Sequence, residues 1–404
     1  MKILQISSTL NTGAIGRLAE EIGQFLQLQG HQSYIGYSDL GKNGTQSEAF
    51  KIGSKTDFYA HALLTRTLDR HAYGSGHVTR KLIKTITSID PDVIHIHNVH
   101  GYYLHMKILF DYLKQAHKPV VYTLHDCWSF TGHCSYFDIV GCDKWKTGCF
   151  DCPNKRAYPA SWFVDRSRKN YAEKKVIFNG VENLTLVTPS AWLADLVKQS
   201  FLSNYPVKVI NNGVNTAVFK PTSSADVREK YGFGDKKLIL GVAYIWSPRK
   251  GLNDFIALSK LLGEEYQIFL VGLDEKQQDK LPKNIRGIAR TENVEELAAL
   301  YSAADVFVNP TWQDNFPTTN LEALACGTPV VTYNTGGSPE AVDEHTGEVV
   351  EKGDIDGLIK AIHSMLAQPK DKMNEACRLR ALNLYKKEDA NGSYLKLYEE
   401  MLGI

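Results

Sequence analysis

Two carboxylates, Asp314 and Glu322, stand eight residues apart between two apolar runs of the chain. Ionised carboxylates accept hydrogen bonds and so suit hydroxyl groups. Ahead of them, Asp305-Val-Phe-Val-Asn309 reads as a short buried strand that ends at Pro310. Behind them, Leu321-Glu-Ala-Leu-Ala325 reads as a helix, with Gly327 and Pro329 as stop signals and a second strand from Val330. A loop and a helix N-terminus thus follow the carboxyl end of a parallel strand. Open α/β sheets bind ligands there, and unbonded helix N–H groups favour phosphate. Hydroxyl acceptors and phosphate donors meet in one loop, and a nucleotide sugar carries both functions. A glycoside-hydrolysing acid/base pair is the competing reading, but such enzymes seldom need a phosphate-type helix terminus.

Other residues add chemistry. Ser247-Pro-Arg249-Lys250-Gly251 places two cations side by side, able to neutralise a leaving diphosphate. His125-Asp126 follows the apolar run Val120–Leu124, at a strand's carboxyl end where a cleft would lie. His95 and His97 share one face of the run Val93–His97. Such a pair suggests a metal, yet a parallel strand buried on both faces favours satisfied core histidines. Thr12-Gly13-Ala-Ile-Gly16-Arg17 is a Gly-rich turn, but not a full Gly-x-Gly-x-x-Gly fingerprint, which argues against NAD. Five of the seven cysteines cluster at Cys127, Cys134, Cys142, Cys149 and Cys152. Cys149-Phe-Asp-Cys152, followed by Pro153, has zinc-knuckle spacing, and Cys134 and Cys142 would complete a four-thiolate structural zinc site. Free thiols or a redox-linked pair are the alternatives; disulfides are disfavoured in a reducing cytosol.

Short apolar runs alternating with amphipathic stretches must position these groups, which argues for stacked βα units and parallel sheets. A first set of strands reads as 3–6, 33–37, 93–97, 120–124 and 184–188, with a helix over 16–29. A second set reads as 207–210, 238–242, 267–271, 306–308 and 330–332. The expected domains are 1–206, carrying a Cys-rich insertion over about 127–160, and 207–386, with a hinge near 211–221 and a last helix over about 387–404.

The 404 residues suit two domains. Net charge is +1, so nothing global points to nucleic acid. Residues 1–170 hold 20 Lys+Arg against 14 Asp+Glu, and residues 171–404 hold 26 against 31. A basic first half suits an anionic acceptor or membrane surface, or is an unevenly charged solvated face. The opening Met1-Lys-Ile-Leu-Gln-Ile reads as a strand rather than a signal peptide. No apolar run approaches the ~20 residues of a membrane span. The expectation is a cytoplasmic protein with at most peripheral contact with the inner face of the membrane.

The Asp314-to-Glu322 segment resembles the Glu-x7-Glu signature of retaining glycosyltransferases of family 4, with Asp in place of the first Glu. The family's Gly-Phe-Gly is here Asn315-Phe316-Pro317. Asn212-Gly-Val-Asn215 followed by Phe219 and Pro221 resembles the family's interdomain motif. The segment His125-Asp-Cys-Trp128 with its cysteines is similar to bacterial exopolysaccharide enzymes of the colanic-acid type. The resemblance implies an α/β GT-B fold, in which two doubly wound Rossmann-like domains face their parallel sheets across a cleft. The first would bind the acceptor and the second the donor, and the last helix would pack back on the first. It implies that Glu322 binds ribose hydroxyls and that Asp314 touches the donor sugar. Main-chain N–H groups of Phe316, Pro317's neighbours Thr318 and Thr319, and the Gly13 and Gly16 turn would hold sugar and phosphate. Lys250 matches the family's Lys, whereas the family's Arg position falls on Ile245, with Arg249 as substitute. His125 would orient the donor sugar, and His97, Asn98 and Asp126 would meet the acceptor. The expected activity is transfer of a hexose from a UDP-sugar to a hydroxyl of a saccharide or lipid-linked oligosaccharide, with no cofactor needed for catalysis. A nucleotide-sugar epimerase of GT-B architecture and a non-catalytic nucleotide-sugar binding protein are the competing classes.

Overall fold

A computed structural model describes residues 1–38 and 41–404. Contacts divide them into two compact units, Met1–Ile210 with Asn391–Ile404, and Asn211–Ala390.

Unit 1 is built on a sheet of β1 (Lys2–Ser7), β2 (Gln32–Tyr37), β3 (Glu48–Lys51), β4 (Val93–Ile96), β5 (Val120–Thr123), β6 (Leu184–Thr188) and β7 (Val207–Val209). All pairings are parallel, in the order β3-β2-β1-β4-β5-β6-β7. Central strands read as unbroken apolar runs because both faces are covered. Ile3, Val93, Val121 and Val187 pack on one face against Ile22 and Leu26 of helix Gly13–Leu28 and against Tyr394, Leu397 and Tyr398 of helix Lys387–Leu402. Leu4, Ile94, Tyr122 and Leu186 take the other face, with Leu82, Leu109 and Phe178 from three further helices.

Unit 2 carries β8 (Lys237–Val242), β9 (Tyr266–Val271), β10 (Ile285–Ile288), β11 (Val306–Asn309), β12 (Val330–Tyr333) and β13 (Gly347–Val350). They pair in parallel in the order β10-β9-β8-β11-β12-β13. The strand order reverses between β8 and β11, so the crevice beyond their carboxyl ends is the switch point where such sheets bind ligands. In unit 1 the corresponding point lies between β1 and β4.

One strand changes sheet relative to the sequence reading. Val207–Val209 does not open the second set; it hydrogen-bonds to β6 as the edge of the first sheet. Its partner is chosen by the crossover of helix Ala191–Lys198, which local apolar pattern does not reveal. The 211–221 segment is tied at Val214, whose N–H donates to the Tyr385 carbonyl (2.7 Å) and whose carbonyl accepts from Lys387 N–H (3.1 Å). Among the described residues no helix is long and apolar enough to cross a membrane.

Candidate active site

In unit 2 the loops after β8 and β11 lie side by side at the switch point. Lys250 Nζ pairs with Asp314 Oδ2 at 2.5 Å. Both side chains are mostly buried, 21% and 15% exposed, so the pair is poorly screened. The loops are also joined through the backbone. The Arg249 carbonyl accepts from Trp312 N–H (2.7 Å), and the Arg249 guanidinium donates to the Gln313 carbonyl (3.0 Å). Arg249 therefore braces the loop that carries Asp314. Ile245, at the family's Arg position, is exposed.

The helix after this loop is Thr318–Ala325, with Pro317 at its N-cap and no side-chain cap. Its first amides, Thr318 and Thr319, have no partner inside the helix, which leaves a positive dipole end beside Lys250 and Asp314. Glu322, one turn on, accepts from the Tyr301 hydroxyl at 2.9 Å. Phe316 is buried, and its carbonyl accepts from Asn212 Nδ2 (3.1 Å). The sequence reading missed what fixes this helix. Asn309 Nδ2 donates to Asn320 Oδ1 (2.8 Å), Asn320 Nδ2 donates to Ser338 Oγ (3.0 Å), and Ser338 Oγ shares a hydrogen bond with Thr332 Oγ1 (2.6 Å). All four residues are buried. The available signal was polar Asn309 and Thr332 closing apolar strands.

Two glycines are required by close approach. A Cβ at Gly336 (φ +58°) would lie 1.8 Å from the Asp314 carbonyl oxygen, and one at Gly251 (φ +80°) 2.1 Å from that of Pro310. Both positions lock the loops that bear the charged pair.

In unit 1 the expected residues gather at the carboxyl ends of β4 and β5. His97 Nε2 bonds Gln5 Oε1 (2.9 Å), and its ring stacks on His125 at 5.6 Å between centroids. Burial pushes the His125 imidazole down to about 4, despite nearby Asp126, and pushes His97 well below its usual range. Both shifts favour the neutral imidazole, which can offer hydrogen bonds but no charge. Asp126 Oδ2 meets His100 Nε2 at 3.1 Å, and its Oδ1 accepts from Trp128 N–H (2.9 Å). Burial opposes ionisation of Asp126, but His100 and the Trp128 amide outweigh it and hold the carboxyl low. Asn98 Nδ2 contacts His100 Nε2 at 3.2 Å. His95 is the core residue the sequence suggested, bonded to Thr123 Oγ1 (2.8 Å) and the Tyr398 hydroxyl (2.7 Å).

Lys174 was not anticipated. Its buried Nζ donates to the carbonyls of Trp128 (2.7 Å) and Thr131 (3.0 Å) and sits 3.3 Å over the Trp128 ring, pinning the turn after Asp126. Burial lowers its ammonium to about 7. A lysine in a helix gives no sequence sign of such a role. Gly13 takes φ +64° at the start of its helix, with open space where a Cβ would stand. Gly16 is tighter: a Cβ would be 2.4 Å from Thr9 Oγ1, so this glycine lets the turn close on its helix.

Cys134, Cys142, Cys149 and Cys152 line one cavity of about 20 Å³ and are free thiols, while Cys127 is buried in the core. Among the described residues no group of three or more His, Cys, Asp and Glu side chains is arranged to hold a metal ion.

A family model described as Glycosyltransferase Family 4 matches residues 15–218, half of the chain. The chain belongs to glycosyltransferase family 4. A second model, described as Glycosyl transferases group 1, matches residues 236–368 of this glycosyltransferase. The putative colanic acid biosynthesis glycosyl transferase WcaC of Escherichia coli K12 is 28% identical over 385 residues, covering 91% of this chain and 92% of that protein. The GDP-mannose-dependent alpha-(1-6)-phosphatidylinositol monomannoside mannosyltransferase of Mycolicibacterium smegmatis is 33% identical over 179 residues, 39% of this chain and 46% of that one. The structure of Anabaena Alr3699/HepE in complex with UDP superposes with a TM-score of 0.69 at 15% identity, covering 99% of this chain and 100% of that one. The fold is GT-B, with two Rossmann-like α/β units.

Proposed function

We propose that this glycosyltransferase moves a hexose from a UDP-sugar to a hydroxyl of a saccharide acceptor, with retention, in the synthesis of a bacterial surface polysaccharide. The Lys250–Asp314 pair beside the uncapped helix at Thr318 carries the reading. Lys250 and the first-turn amides meet the charge that develops on the departing diphosphate, usually the largest catalytic term. Glu322 takes the ribose hydroxyls and Asp314 those of the sugar. The anomeric C–O bond to phosphate breaks as the acceptor oxygen bonds on the same face. The acceptor proton passes to the leaving phosphate, so no side chain need act as base. In unit 1, His125 is assigned to sugar orientation and His97, Asn98 and Asp126 to the acceptor. The polysaccharide role is supported by the likeness to the colanic acid enzyme, over nine-tenths of both chains. UDP is supported by the Anabaena neighbour and opposed by the GDP-mannose-dependent relative, so base identity decides the test.

Thermal unfolding with UDP, GDP and their sugars, against Glu322→Ala, makes that decision. Ligand at about 100 times its Kd adds roughly 2.7 kcal/mol of stability. The expected result is a UDP-selective rise that the variant loses. A GDP-selective rise overturns the donor, and no rise with any nucleotide overturns the reading.

A further inference from the structure

In unit 1 the loops after β4 and β5, the turn after helix Lys55–Leu68 and the end of the Cys-rich insertion meet around His71. Between centroids, the His71 ring lies 4.8 Å from that of Tyr102, 5.4 Å from that of Trp128 and 5.7 Å from that of Tyr158. His100 is 6.0 Å from His71 and 5.0 Å from Trp128. His71, Asn98 and His100 are 4%, 5% and 6% exposed, yet His71 Nε2, Asn98 Oδ1 and His100 Nδ1 have no hydrogen-bond partner among the described residues. Buried polar atoms are nearly always bonded, so three in one cluster call for a ligand group. The other polar end of each side chain is held: His71 Nδ1 by Thr65 Oγ1 (3.3 Å), His100 Nε2 by Asp126 Oδ2 (3.1 Å), and Asn98 Nδ2 at His100 Nε2 (3.2 Å). The backbone is strained at the same place. Ala72 and Tyr102 take φ +61° and +65°, left-handed values that non-glycine residues hold at a cost and that gather at functional sites. Tyr158 also stands 6.1 Å from His100. Its carbonyl accepts from Ser135 N–H (3.3 Å), which ties its backbone down, while the residue is 46% exposed.

We propose that His71, Asn98 and His100 form the polar floor of a subsite for one neutral sugar ring of the acceptor, with Tyr158 as its aromatic cover. This rests on the saccharide acceptor proposed above and adds His71, His100 and Tyr158 to the residues that meet it. Sugar hydroxyls both donate and accept hydrogen bonds, so they satisfy a histidine nitrogen in either tautomer and either end of an amide. The C–H face of a pyranose is apolar and packs on the negative face of a tyrosine ring. An aromatic face joined to a few convergent polar atoms is the usual make-up of a small-ligand site. Asp126, on the same His100, sets a carboxylate beside the floor and so disfavours a uronic acid or a phosphate. An entering ring turns the Tyr158 side chain aside and then stacks against it. Because the Tyr158 backbone is tied down, that movement is a change of rotamer. A sugar without the hydroxyl that reaches His71 leaves a buried nitrogen unpaired, so the floor discriminates between sugars.

The full-length protein, without nucleotide, is titrated with the methyl glycosides of glucose, galactose, mannose and fucose and with methyl glucuronide, and binding is read by saturation-transfer NMR. At least one neutral glycoside should bind, and the glucuronide should not. His71→Asn keeps a polar atom near Thr65 but removes Nε2, and should weaken that binding about tenfold, the scale of one hydrogen bond to a buried group. His71→Gln returns a polar atom near the Nε2 position and should restore it. Tyr158→Ala should weaken binding and Tyr158→Phe should not. Tyr158 is half-exposed, so its variants keep the test open should a His71 variant melt early. The rise in melting with UDP should be the same in every variant, which separates this subsite from the donor site. Equal glycoside binding by all variants, selective binding of the glucuronide, or no glycoside bound by protein that UDP stabilises would each overturn the proposal.

Discussion

At the residue scale, the proposed function rests on the charged pair at the switch point. Lys250 and Asp314 are 64 positions apart, and the sequence marked each as a charged residue in a loop that follows a strand. Their contact was not legible, because it depends on β8 and β11 being neighbours. Lys250→Ala should lower kcat by about 10²–10³, the usual cost of one donor aimed at developing charge. Steady-state kinetics on a folded variant checks this, and a change confined to KM would show that Lys250 only binds. Arg249 was legible as a cation but misleading in one respect: the structure bonds its guanidinium to the Gln313 carbonyl.

At the scale of elements, strands that lie inside a sheet were readable, and of the four edge strands only β7 was, in the wrong set. The runs at β1, β4, β5, β8, β11 and β12 are apolar because helices cover both faces. By contrast β3, β10 and β13 were missed. They are short, partly exposed and lack an apolar run, as Glu48-Ala-Phe-Lys51 illustrates. The donor loop depends on tertiary locks of the same hidden kind. Gly336→Ala would force a Cβ against the Asp314 backbone and shift the loop. A loss of nucleotide affinity of about tenfold, roughly 1.4 kcal/mol, is expected by calorimetric titration. Unchanged affinity would mean that the loop moves without touching the ligand.

At the scale of the whole molecule, the two units differ in how they carry histidine. Of thirteen histidines, only His345 and His363 lie in unit 2. Burial holds His95 at about 3 and His61 and His125 at about 4, against an ordinary 6.5. Between pH 6.5 and 4 the unfolded chain therefore binds more protons at these sites, and stability falls as pH falls through that window. Each such histidine contributes at most on the order of 1 kcal/mol per pH unit. His133, raised by Asp69, acts in the opposite sense. Hydrogen exchange at pH 7 and 5 should show unit 1 amides losing protection before those of unit 2; equal loss in both would refute the assignment.

The sequence by itself determined the class of fold and the chemistry on offer. Buried parallel strands must be apolar, helix ends need Gly and Pro punctuation, and phosphate and hydroxyl recognition needs particular side chains at strand ends. Those are local requirements, written into Val306–Val331 and Val120–Trp128. Tertiary structure alone decided which groups touch. The Lys250–Asp314 pair, the Asn309–Asn320–Ser338–Thr332 network, Lys174 beneath the His125 loop and the sheet that receives Val207–Val209 all join residues from different elements or loops of the fold. Strand order and crossover set these contacts, and neither leaves a periodic mark in the residues it brings together.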